Sequence, residues 1–276
     1  MNTFTLGQAE RSSGAGFTRP AAHAGRFYPD QPDELRREIE EFLRLAPFSP
    51  GPAPKAIIAP HAGYLYSGPV AGTAYAVVAA GRKTIHRVAL LGPAHYAEVP
   101  GIALSSAVAF ATPLGRVPVD VAAVSALRRL PGVDVDDRAH APEHSLEVHL
   151  PFLQTVLEEF ALVPLLVGRA ADDQIAAAME AVWDEPGTLI VVSSDLSHFH
   201  DYHTAGELDA HTADRIVALR GEELGCEDAC GCRPIRGLLR VARARGWRCH
   251  LLDLRNSGDT AGPRQRVVGY GAFAFA

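Results

Sequence analysis

Short apolar runs alternate with stretches of helical periodicity along most of the chain, and no other feature restricts its fold as much. Apolar runs stand at 55–60, 86–91, 101–105, 161–167, 188–193, 249–254 and 266–275. Helical patterns fill much of the space between them, at 69–80, 121–130, 145–159, 172–183, 205–219 and 233–245. A run too short for a helix and apolar throughout reads as a strand buried on both faces. Parallel pairing of such strands needs crossovers of about a dozen residues or more, the length of the helical patterns here. The expectation is an α/β fold, a single three-layer domain whose central, mostly parallel sheet carries helices on both faces.

A helix over 33–43 precedes this region, with Leu35, Ile39 and Phe42 on one stripe and acids in its first turn. A Pro/Gly-rich linker over 47–54 then leads to the first buried strand. The 276 residues suit one large domain, and neither a repeat nor a composition break divides them. The domain is expected over 19–276. Met1–Thr18, polar and rich in Ser, Gly and Thr, is expected to be a flexible tail without the apolar run of a signal peptide.

Composition narrows the function classes. With 26 Lys and Arg against 32 Asp and Glu, the net charge of −6 provides no cationic field for a polyanion, so nucleic acid is not an expected partner. Gly, Pro or charge interrupts every apolar run before 18 residues, so a membrane span is not expected either. The four cysteines, Cys226, Cys230, Cys232 and Cys249, form no C-x-x-C pair and no disulfide framework. Reduced thiols and a cytoplasmic location are the corresponding expectations. Twelve histidines are the unusual part of the composition, because imidazole is the commonest metal ligand.

Position selects among them. In open α/β sheets, ligands bind beyond the carboxyl ends of the strands. Three strand ends present a histidine: Ala59-Pro60-His61-Ala62-Gly63-Tyr64, Leu90-Leu91-Gly92-Pro93-Ala94-His95-Tyr96, and Val191-Val192-Ser193-Ser194-Asp195-Leu196-Ser197-His198. Two neutral imidazoles and one anionic ligand on one side of a metal form the arrangement of non-haem Fe(II) oxygenases. Asp195 and Cys230 are both candidates for the anion, the latter lying just before a helix whose N-terminus favours a thiolate. His144 opens a helical pattern that could face the same cleft. His149, five residues on, falls off that face, and Glu143 and Glu147 do not make an H-E-x-x-H motif. His200, His203 and His211 read as solvated, and His23, His86, His140 and His250 as structural. Residues 256–262 read as a tight turn. The fingerprints of nucleotide binding and serine hydrolysis are missing.

These motifs resemble the Memo family, called AmmeMemoRadiSam system protein B in prokaryotes. The resemblance rests on Arg19-Pro20-Ala21 and Gly25-Arg26-Phe27-Tyr28-Pro29, then the His61 and His95 segments with Tyr66-Ser67-Gly68 between them. Glu143-His144-Ser145-Leu146-Glu147-Val148, Ser193 to His198, Asp228-Ala229-Cys230-Gly231 and Asn256-Ser257-Gly258-Asp259-Thr260 follow in family order. It implies a fold similar to class III extradiol dioxygenases, with His61, His95 and Cys230 as metal ligands and Asp195, His198 and His144 lining the pocket in catalytic roles. Fe(II) is the expected metal, with copper or zinc as alternatives. A thiolate in place of a carboxylate is softer, so ring cleavage does not follow from fold kinship. Two positions depart from the family pattern: His149 stands where Gln is expected, and Cys232 where an aromatic is expected. Cys232 therefore competes with Cys230 as the thiolate, or the two oxidise to a pair. The resemblance also implies radical-SAM and AMMECR-type protein partners. Its alternative to a redox enzyme acting on a small-molecule substrate is a non-catalytic module binding a phosphopeptide or other anion in the same cleft.

Overall fold

The computed structural model describes residues 16–47, 51–183 and 187–276. The tail expected over 1–18 lies outside the described residues as far as residue 15, and Thr18 already belongs to a strand. In chain order the elements begin with β1 (Thr18–Arg19), α1 (Pro32–Leu45), β2 (Ala56–Ala59), α2 (Tyr64–Val78), β3 (Arg87–Pro93) and β4 (Ile102–Leu104). There follow β5 (Ala109–Thr112), β6 (Gly115–Pro118), α3 (Val121–Leu127), β7 (Val133–Val135), α4 (Asp137–His140), α5 (Leu150–Val156) and β8 (Ala161–Val167). The remainder is α6 (Asp172–Trp183), β9 (Thr188–Ser193), β10 (His198–His200), α7 (Tyr202–Val217), α8 (Cys232–Arg245), β11 (Cys249–Asn256), α9 (Ser257–Thr260) and β12 (Val267–Phe275).

One large sheet has the order β10-β12-β2-β9-β3-β8-β4-β7, with β11 also paired to β12. Its centre, β2-β9-β3-β8, is parallel, and antiparallel pairings flank it at β12–β2 and β4–β8. The central strands are apolar throughout because both of their faces are covered; Ile57, Ile58, Leu90, Leu91, Val191 and Val192 have no exposure at all. Helices flank the sheet in two groups, α1, α2 and α5 packing together, as do α3, α6 and α8. Among the described residues no helix is long and apolar enough to cross a membrane.

Three local outcomes differ from the sequence reading. The helix expected over 145–159 is a 3₁₀ turn at Glu147–His149 followed by α5, because Pro151 fits only the first turn of a helix. The helix expected from residue 69 starts five residues earlier and runs through Pro69; the carbonyl this leaves unpaired belongs to Leu65, at the exposed start of the helix. Residues 256–262 contain more than a turn: Asn256 and Asp259 cap each other's backbone N–H groups and close the one-turn helix α9. A separate three-stranded sheet, β1-β5-β6, has strands of two to four residues, too short to give a pattern in the sequence.

The functionally important consequence is one of register. Ala59 at the end of β2 lies opposite Ser193 at the end of β9, and Leu91 of β3 lies opposite Val192. Three adjacent parallel strands therefore end side by side, and the residues that follow them, His61, Asp195 and His95, emerge on one rim of the sheet.

Candidate metal centre

His61 is almost completely buried, and both its backbone and its ring are held. Its N–H donates to Asp195 Oδ1 at 2.8 Å, and its Nδ1 lies 2.6 Å from Ser193 Oγ. Ser193 Oγ has two further contacts, to His149 Nε2 at 2.8 Å and to the Ser145 carbonyl at 2.6 Å. The hydroxyl has one hydrogen, and the carbonyl can only accept. Ser193 therefore donates to Ser145, and both rings donate to Ser193. This places the His61 proton on Nδ1 and leaves Nε2 with a bare lone pair. The same counting puts the His149 proton on Nε2, so that its Nδ1 accepts the Tyr75 hydroxyl at 2.9 Å.

Glu143 does for His95 what Ser193 does for His61. Its carboxylate takes the His95 backbone N–H at 2.7 Å and the ring Nδ1–H at 2.9 Å, together with the backbone N–H groups of His144 and Ser145, each at 3.0 Å. Burial raises the pKa of Glu143, but these donors, His95 foremost, outweigh it and hold the carboxyl at about 2. An ionised carboxylate only accepts, so His95 also carries its proton on Nδ1 and keeps Nε2 free.

Cys230 arrives from the loop ahead of α8. Its Sγ lies 3.3 Å from His61 Nε2 and accepts the Asp195 N–H at 3.3 Å. The loop lies tight against the end of β9: a Cβ on Gly231 would meet Ser194 Cβ at 2.6 Å and the Ser193 carbonyl at 2.7 Å. Gly231 is therefore required for the approach. Burial, reinforced by the Asp195 charge, pushes the Cys230 thiol up to about 12. Burial also raises Asp195, to about 6, against hydrogen bonds from the backbone of His61 and Ala62.

The ligand atoms of His61, His95 and Cys230 all lie within 4.8 Å of one another. A second group of that span, His95, Glu143 and His144, includes a His95–Glu143 hydrogen bond, and we read it as support for the His95 ring. His144 stacks on His95 with ring centroids 4.7 Å apart, and lies 5.4 Å from the His61 ring and 4.5 Å from Phe27. Its Nδ1, 3.4 Å from Glu143 Oε1, is buried without an aligned hydrogen-bond partner. His198, half-buried at the start of β10, donates from Nδ1 to the Leu196 carbonyl at 2.8 Å. It lies close enough to Asp195 that a charge on its ring favours the ionised carboxylate.

A family model described as Memo-like protein matches residues 19–274. The chain belongs to the Memo family. It is 36% identical to the MEMO1 family protein of Methanopyrus kandleri, over 93% of this chain and 98% of that protein. Identity to the MEMO1 family protein of Aeropyrum pernix is also 36%, over 92% and 98% of the two chains. The solved structure of an uncharacterized protein from Escherichia coli K12 overlays with a TM-score of 0.51 at 13% identity, covering 79% of this chain and 98% of that one. That likeness concerns the fold alone.

In this Memo-family protein the six residues singled out from the sequence do not share one role. His61, His95 and Cys230 converge, Asp195 secures the His61 backbone, and His144 and His198 stand beside them. The cysteine expectation needs correction. Cys226 and Cys232 form a disulfide, their Cα atoms 5.1 Å apart, because the loop from 226 to 232 folds back on itself. Cys232 is thereby removed as a rival ligand, and Cys230 is a free thiol. Sequence reasoning also missed the supporting residues. Glu143, set aside as no part of a protease motif, orients His95, and His149, placed off the cleft face, supports His61 through Ser193. Glu147 is fully buried and binds Arg19 at 2.6 Å, the Tyr28 hydroxyl at 2.6 Å and the His23 N–H at 2.8 Å. It thereby fixes the segment that sets Phe27 against His144. The available signal was His149 itself, which departs from the family pattern at a site-facing segment.

Proposed function

We propose that this protein is a Memo-family metalloprotein in which His61 Nε2, His95 Nε2 and the Cys230 thiolate hold one metal ion, redox-active Fe(II) ahead of copper, with redox-inert zinc as the alternative. One observation carries the reading. Hydrogen bonding to buried oxygens uses Nδ1 of both histidines, and Nε2 of each is turned to the cluster, that of His61 toward the Cys230 thiol at 3.3 Å. Metal-binding histidines are held in this way by an acceptor that takes the N–H of the far nitrogen. Burial lowers the pKa of His61 well below its usual value and that of His144 to about 4, with neighbouring imidazoles adding to the effect. These rings are uncharged at neutral pH, which supplies lone pairs and withholds the positive charge that the anion-module reading needs.

A bound iron or copper ion supplies open coordination positions and one-electron chemistry. The chain supplies the rest. Asp195, with a pKa near 6, holds or releases a proton close to neutrality, 4.0 Å from His61 Nε2. His198 offers Nε2 as a proton acceptor, and His144 and Phe27 form an aromatic wall beside the ligands.

The test is elemental analysis of protein purified without a histidine tag or chelator. Stoichiometric iron or copper is expected, with its loss in His61→Ala and in Cys230→Ser; full occupancy in both variants would overturn the ligand assignment. Because the Cys230 proton must leave, apparent affinity is expected to rise about tenfold per pH unit through neutrality. Oxygen uptake with catechol probes, present in the iron-loaded protein and absent in His61→Ala, separates a redox role from a structural metal.

A further inference from the structure

A cavity of about 270 Å³ lies beside the metal centre, and its wall includes Cys226, Cys230, Cys232, Arg169, Glu98 and Arg233. Arg169 pairs with Glu98 at 3.2 Å, so those two charges offset each other. Arg233 is half-buried and forms no hydrogen bond or ion pair among the described residues. The cavity thus presents a disulfide and one uncommitted cation.

The two sulfurs of the disulfide are unequal. Cys226 is exposed, whereas Cys232 is 2% exposed and is the first residue of the 14-residue helix α8. An incoming thiolate reaches Cys226, and the sulfur it expels is the one at a helix N-terminus, where negative charge is favoured. The disulfide also encloses Cys230, whose loop is otherwise tied by the Cys230 N–H to the Asp195 carbonyl at 3.2 Å, the Asp195 N–H to Cys230 Sγ at 3.3 Å, the Gly231 N–H to Ser194 Oγ at 2.9 Å, and Asp228, which accepts the Gly225 N–H at 2.8 Å and pairs with Arg215 at 3.1 Å.

We propose that Cys226–Cys232 is an exchangeable disulfide, opened by small-molecule thiols that bear a carboxylate, and that its opening loosens Cys230 as a ligand. The second half rests on the metal reading above; the first does not. In the first step the small thiolate bonds to Cys226 Sγ, the Cys226–Cys232 bond breaks, and Cys232 leaves as a thiolate. A second small thiolate then attacks the sulfur of the first, releasing the Cys226 thiolate and a small-molecule disulfide. The protein gains two electrons, two thiols lose them, and their two protons pass to the cysteines. Arg233 holds the carboxylate of the attacking thiol. The device is this chain's own, since Cys232 occupies a position where the family resemblance expects an aromatic residue.

The test compares mercaptoacetate with cysteamine at equal thiolate concentration, following the opening of the 226–232 bond by peptide mass mapping and using zinc as a redox-silent probe of the metal centre. Thiolate nucleophilicity itself rises with thiol pKa, so the readout is the mercaptoacetate-to-cysteamine rate ratio, which is expected to fall roughly fivefold in Arg233→Gln, the effect of about one exposed ion pair. Zinc affinity is expected to fall about tenfold on opening, the usual scale for disturbing a ligand's support. The Cys226→Ser/Cys232→Ser double variant should have that weaker affinity with or without thiol. A rate ratio unchanged in Arg233→Gln, a bond that resists millimolar thiol, or unchanged zinc affinity after opening would each overturn the proposal. If the parent protein binds no zinc at all, the metal reading fails, while the rate comparison still decides whether the disulfide exchanges.

Discussion

The two sides of the proposed metal centre are built differently. His61 and His95 follow strands at the centre of the sheet, and each ring is held through Nδ1 by a group that is itself buried, Ser193 in one case and Glu143 in the other. Cys230 comes from a loop, held by backbone contacts to the end of β9 and enclosed by a disulfide with one exposed sulfur. On the histidine side, moving the His61 ring would leave a buried donor unpaired, and moving the His95 ring would take a donor from the buried Glu143 carboxylate, each at a cost of about 1–3 kcal/mol. The cysteine side differs in that one of its ties, the 226–232 disulfide, is a bond that a thiol can break. On the proposed ligand assignment, two ligands are fixed by buried partners and the third is open to chemical control.

If the histidine side is the fixed one, disturbing its support should be more damaging than opening the loop. Glu143→Gln is the strongest test. An amide cannot accept from the His95 ring and backbone, and from the N–H groups of His144 and Ser145, as the carboxylate does. Metal affinity, measured by competition with a chelator, is expected to fall by about 10- to 100-fold. A loss no greater than that of the Cys226→Ser/Cys232→Ser variant would erase the distinction between the two sides. The same substitution alters acid stability. Because the folded-state carboxyl sits at about 2 against an ordinary 4.5, its stabilisation is complete above the ordinary value and lost as pH falls through the folded one. Wild-type unfolding free energy should therefore drop across this interval, and the variant should lose that part of the slope.

Ser193→Ala is the next largest. It removes the acceptor of both His61 Nδ1–H and His149 Nε2–H and the donor to the Ser145 carbonyl. With the site fully buried, we expect a loss of about 1–3 kcal/mol in urea unfolding and a several-fold loss of metal affinity. A change under about 0.5 kcal/mol, the range of neutral surface substitutions, would show that His61 is not held through Ser193.

What the sequence revealed follows the same division. His61 and His95 were legible because strand ends are legible: an apolar run followed by a small residue and a histidine states both where the strand stops and what it presents. Cys230 was one of two candidates until the family resemblance favoured it, because a loop cysteine has no periodicity to place it. The 226–232 disulfide was invisible for the same reason: the folding-back of a short loop is set by tertiary contacts such as that of Gly231 with β9. Glu143 and His149 were legible as residues but not as roles. A carboxylate that orients a histidine 48 positions away in the chain is defined only once β3 has been brought against residues 143–145. There, a Cβ on Gly92 would meet Ser145 Oγ at 2.7 Å.

Tyr75→Phe gives the smallest effect and the finest test, because it removes one hydroxyl three hydrogen-bond partners away from the metal ligand ring. Tyr75 and His149 are both buried, and the hydroxyl is what commits His149 Nδ1 to accepting. Without it, the His149 proton is free to move to Nδ1, and Ser193 can then donate to His149 instead of to the Ser145 carbonyl. His61 keeps Ser193 as its acceptor in either arrangement. The expected cost is therefore about 1 kcal/mol of stability, with metal affinity nearly unchanged. The distinctive readout is ¹⁵N NMR of the imidazoles: His149 in the Nε2–H form in the parent protein, a mixture of tautomers in the variant, and His61 in the Nδ1–H form in both. A parent protein with His149 protonated at Nδ1 would show that Tyr75 does not set the direction of the network, and His61 protonated at Nε2 would undo the assignment of its lone pair.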